Sequence, residues 1–193
     1  MTMHPYRTAI SPDPEPNIAI TATPTACAGA ATSYVLRQIA YRAGTLAPGI
    51  QDAIFQELHA AEHGGRLTVV EHWFDRRTPV LHELGYRLRC RRTASPTHDL
   101  VAWVEAGRGY RGAVLATCYE RLHPGVARDV GEAIVHAVGI FAGRRETDGD
   151  DEVVMIDPWS RTHGGASALH PALDAAHVER DRQALAFHWI GWS

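Results

Sequence analysis

Hydrophobic and polar positions alternate with two different periods along this chain, and the change of period divides it. From Thr25 the apolar positions Cys27, Ala31, Val35 and Ile39 step by four, the spacing of one helix face, and Ala43-Gly44 closes the segment. Pro48-Gly49 then breaks the chain before a second helical stretch, Ile50 to Ala61. Ile50, Ile54, Leu58 and Ala61 form its apolar face with Phe55 beside them, and His63-Gly64-Gly65 stops it. Leu67 to Val70 reads as a short extended piece, and Glu71 to Leu84 as a broken helix reset at Thr78-Pro79 and closed by Gly85.

Beyond Gly85 the period drops toward two. Tyr86, Leu88 and Cys90 alternate with arginines, the pattern of a half-buried strand. Ser95 to Glu105 predicts a short helix with Asp99 near its start and Leu100, Trp103 and Val104 on its apolar side. Strands are predicted at Ala113–Tyr119, Ala133–Phe141 and Glu152–Asp157, the last two joined by a hairpin loop over Gly143–Asp150. The tail reads as loop until Leu185–Ile190, a last strand or helix. Helices first and a mostly antiparallel sheet afterwards make the predicted class α+β.

Composition changes this picture only at the edges. Pro5, Pro12, Pro14, Pro16 and Pro24 mark residues 1–24 as an extended arm, leaving 25–193 as one domain large enough for its own core. With 19 basic against 22 acidic residues, the chain lacks the charge of a general nucleic-acid binder. Three scattered cysteines are no disulfide framework and suggest a reducing compartment. The N-terminus has no apolar signal core, and no apolar run approaches the roughly 20 residues that span a bilayer. The expectation is a cytoplasmic protein with no membrane partner, and the wealth of Ala, Arg and Gly suggests a GC-rich bacterial source.

Candidate chemistry begins at Cys27. A thiol in the first turn of a helix lies near the positive end of the macrodipole, which favours the thiolate; the plainer alternative is a small buried residue at a helix start. His136 sits inside an apolar strand, where its ring nitrogens need partners, and Asp157 ends the following strand. A hairpin folded symmetrically about Glu146-Thr147 pairs His136 directly with Asp157, with Cβ atoms about 5 Å apart. The carboxylate could then orient the imidazole as in a catalytic triad, or simply satisfy a buried histidine. A slip of one residue would place the two on opposite faces.

Cysteine at a helix start, histidine inside a strand and aspartate ending the next strand together resemble papain-like cysteine peptidases. The nearer likeness is to the bacterial double-glycine leader peptidases. The Leu84–Trp159 stretch carries most of it, through Val135-His136-Ala137-Val138 and Val154-Met155-Ile156-Asp157-Pro158-Trp159. The resemblance runs from about Thr25 to Trp159. It implies a papain-like fold with Cys27 as nucleophile, His136 as general base and then acid, and Asp157 as orienter; Trp159 either shields the His–Asp pair from water, as a tryptophan does in that family, or is ordinary core. Two positions depart. The family's upstream Gln, an oxyanion-hole donor, has no counterpart, since Thr21, Thr23 and Thr25 occupy that region, and Ala28 replaces the Gly after the cysteine. Losing one such donor costs on the order of 3 kcal/mol of transition-state stabilisation.

The expected function is therefore a thiol-dependent acyl-transfer enzyme, without a cofactor, acting on an amide, peptide or carrier-bound thioester. Its alternative is a non-catalytic papain-like module that binds a peptide or carrier protein. Hydrolysis versus transfer, substrate and oligomeric state stay open. His59-Ala60-Ala61-Glu62-His63 matches H-x-x-E-H, a zinc-hydrolase pattern, but Gly64-Gly65 ends the helix at once and no third ligand helix follows. Arg87, Arg89, Arg91 and Arg92 either meet an anionic group or form the solvated face of an edge strand.

Overall fold

The computed structural model describes residues 26–43, 53–61, 68–93, 100–108, 110–118, 135–144, 152–156, 158, 168–171 and 186–192. Four helices are present among them: α1 (Cys27–Arg42), α2 (Ala53–His59), α3 (Thr68–Glu83) and α4 (Leu100–Gly107). The strands are β1 (Leu88–Thr93), β2 (Arg111–Cys118), β3 (Val135–Arg144), β4 (Glu152–Ile156), β5 (Ala168–Pro171) and β6 (Ala186–Trp192). They form one antiparallel sheet in the order β1-β6-β2-β3-β4-β5. The α+β class expected from the change of period is the architecture observed. The proline-rich arm at 1–24 lies outside the described residues.

Helix α1 is the centre of the molecule. Cys27, Ala31, Val35 and Ile39 are all buried, as their spacing predicts, but so is every residue from Ala26 to Ala40. A helix enclosed on all sides has to place its polar groups internally. Thr32 does so by donating its hydroxyl to the Ala28 carbonyl at 2.7 Å. The guanidinium of buried Arg37 lies over the Phe55 ring, 5.8 Å from its centroid. Close approach to α2 depends on Gly29, where a Cβ would overlap the carbonyl oxygen of Leu58.

Thr68-Val69-Val70 is the first turn of α3, not the extended piece expected. Three β-branched residues favour strand locally, but burying Val70, Trp73, Phe74 and Leu81 along one helical face outweighs that weak preference. The helix also runs through Pro79 without the predicted reset. Proline removes one donor from the ladder, and the Thr78 hydroxyl beside it donates to the Phe74 carbonyl at 2.7 Å. Gly85 ends the helix as predicted. Its φ of +86° suits a residue without Cβ, and Tyr86 N–H donates to Leu81 O while Gly85 N–H donates to His82 O, a Schellman cap.

Two further strand readings are corrected. Ala168–Pro171, expected as loop, is an edge strand on β4, with proline at its last residue where a missing N–H is tolerated. The β3–β4 hairpin is not symmetric about Glu146-Thr147. Arg144 pairs with Glu152, which moves its centre toward later residues, and a bulge between Ile140 and Ala142 takes up one more position. Ile156 consequently faces Gly139, two residues from the pairing expected. An even offset keeps side chains on their expected faces.

Candidate functional site

Strand alternation divides the sheet into two unlike faces. Directly paired residues share a face, so Leu88, Cys90, Ile190, Val114, Ala116 and Ala137 lie together. These join Cys27 and the apolar residues of α1, α2 and α3 in one contiguous core. The opposite face carries Ala113, Leu115, Val138 and Trp189, with α4 against β2 and β3. There Trp103 packs edge-on to Trp189 with ring centroids 5.6 Å apart, and its Nε1 donates to the Gly112 carbonyl at 3.1 Å.

Cys27 is the first residue of α1, where the sequence predicts it, and it is 0% exposed. His136 is in the second position of β3 and is 1% exposed. The helix and the strand pack together, and β3 turns alternate residues to the two sides of the sheet. Ala137 is the β3 residue that shares a core with Cys27, and Ala116 lies opposite it. His136 pairs with Thr117 and takes the other face, that of Val138. An imidazole that takes a proton from a thiol must come within hydrogen-bond reach of it. Asp157, Thr21, Thr23, Thr25 and Trp159 lie outside the described residues.

The H-x-x-E-H pattern is half placed. His59 is the last residue of α2, with its pKa lowered first by burial and then by the Arg37 charge. His63 lies outside the described residues, and among those described no group of three His, Cys, Asp or Glu side chains could hold a metal ion.

A third location was not singled out by the sequence as a site. Glu71, His72, Phe74 and Asp75 of α3 and Cys90 and Arg92 of β1 line a cavity of about 290 Å³, near the lower end for ligand pockets. Arg92 Nη1 donates to Glu71 Oε2 at 3.1 Å across it. Asp75 is exposed and makes no ion pair among the described residues. Burial, then Glu71, then Asp75 push the Cys90 thiol far above its usual range. The signal in the sequence was the i, i+4 pair Glu71 and Asp75, hidden by reading that stretch as broken helix. No helix of the described residues is long and apolar enough to cross a membrane. Compared with protein-family models and with curated proteins, the chain matches neither.

Proposed function

We propose that this chain is a binding module of papain-like plan, recognising a peptide or carrier protein, in which Cys27 packs a helix start and performs no acyl chemistry. The observation that carries this reading is the alternation of β3: Ala137 shares the core of Cys27 while His136 takes the opposite face. Full burial of the thiol points the same way, because a nucleophile has to meet a carbonyl. The absence of an upstream Gln in the Thr21–Thr25 segment fits a chain that no longer needs an oxyanion hole.

A second reading, the thiol-dependent acyl-transfer enzyme with Cys27, His136 and Asp157, keeps one specific observation in its favour. Cys27 is the first residue of a sixteen-residue helix that packs against the strand of His136. Iodoacetamide labelling followed by mass spectrometry at pH 6 separates the two. Slower modification of Cys27 in the folded protein than of a free model thiol is expected, with no change in His136→Ala. Faster modification that His136→Ala abolishes would replace the binding module with the enzyme.

A further inference from the structure

Strand β1 ends the sheet: β6 pairs with one of its edges and no described strand lies beyond the other. An open edge presents backbone donors and acceptors in a row, and its side chains decide what can dock there. Here the two faces beside that edge carry opposite chemistry. Arg89 and Arg91 are exposed on the α4 side, and neither makes an ion pair among the described residues. Between them Cys90 turns to the α3 side, over the cavity where Glu71 and Asp75 sit and where Arg92 pairs with Glu71.

The bland account of arginines on an edge strand is protection against aggregation. Protection alone needs charge and has no requirement for opposite signs on the two faces. A strand laid along β1 would alternate its side chains in the same way, about 6.4–6.8 Å between residues i and i+2. Carboxylates at i and i+2 would stand against Arg89 and Arg91, where a guanidinium can grip a carboxylate with two hydrogen bonds. The residue between them would face Cys90 and the cavity, where a cationic side chain finds the carboxylate of Asp75.

We propose that the free edge of β1 binds an extended peptide segment of alternating sign, acidic–basic–acidic, by strand addition. Backbone hydrogen bonds supply the docking, and the alternation of charge supplies the register. The inference rests on the binding-module reading and names its partner, but its test is independent of Cys27.

The test uses the full chain and a fluorescein-labelled peptide of about nine residues with alternating Glu and Lys, followed by fluorescence polarisation. Two controls accompany it: the same composition in two blocks, and the alternating peptide N-methylated at every second amide. The expected result is saturable binding below about 100 µM, at least tenfold weaker for both controls and for the double variant Arg89→Glu/Arg91→Glu, with a smaller loss in Asp75→Lys. Equal binding of the block peptide, an unaffected double variant, or no binding of the alternating peptide would overturn the proposal. Repeating the titration with Cys27→Ala should change nothing. Slow Cys27 labelling together with no peptide binding would sink this inference and leave the module reading standing. Fast, His136-dependent labelling would overturn the module reading, and this inference with it.

Discussion

The two faces of the sheet are built to different standards of closure. On one, three helices enclose an apolar core whose centre is a helix with no exposed side. On the other, the eight-residue α4 covers β2 and β3, and Trp103 holds the contact by meeting Trp189, the Gly112 carbonyl and the Arg111 guanidinium, which lies 4.4 Å from its ring centroid. The first face has little room to yield, because the described residues of its core are almost all buried. The second mixes aromatic, cationic and hydrogen-bonded contacts around one residue, and yielding there should be local.

Substitutions at matched positions should expose that difference. Gly29→Val is expected to have the largest effect, because its side chain would have to displace the backbone at Leu58 and not a flexible neighbour. Overpacking ordinarily costs about 1–3 kcal/mol, and a case that has to move backbone exceeds that range, so urea denaturation should show a chain that is largely unfolded. Trp103→Ala should cost about 2–4 kcal/mol and should raise amide exchange in α4 and β2 while α1 keeps its protection. Equal loss of protection in α1 would mean that the faces are one cooperative unit.

The smallest effect should come from pH. His59 has a folded pKa below its ordinary value of about 6.5, so the unfolded chain binds the proton more readily. Its contribution is complete above the unfolded value and is lost as pH falls toward the folded one. Stability should therefore fall with acidification below about pH 6.5, and His59→Gln should flatten that slope when melting temperature is followed between roughly pH 7.5 and 5. An unchanged slope in the variant would show that other groups set the acid limb.

Much of this architecture was legible because local pattern and burial agree. Cys27 to Ile39 and Tyr86 to Cys90 announce a helix and a strand through spacing alone, and the structure places both. Thr68-Val69-Val70 misleads, since the burial that makes it helical comes from partners far along the chain. Ala168–Pro171 carries no strand signal of its own and exists through pairing with β4. The candidate site failed to declare itself for a related reason. Ala137 and His136 are both buried, so β3 reads as apolar on both faces and hydropathy cannot say which one joins the core of the helices. Nor does composition announce a bulge such as the one after Ile140, which shifts the register of β4.

The position of β6 has a consequence in time as well as in space. β1 and β2 are neighbours in the sheet only through β6, whose Trp192 pairs with Leu88 about a hundred residues earlier. Until Ala186–Trp192 has been synthesised, both strands present an unpaired edge to whatever surrounds the nascent chain. A sheet sealed through contacts of such high sequence separation gains its cooperativity late and folds slowly for its size. β6 is thus the strand that decides whether β1 and β2 find each other or a stranger.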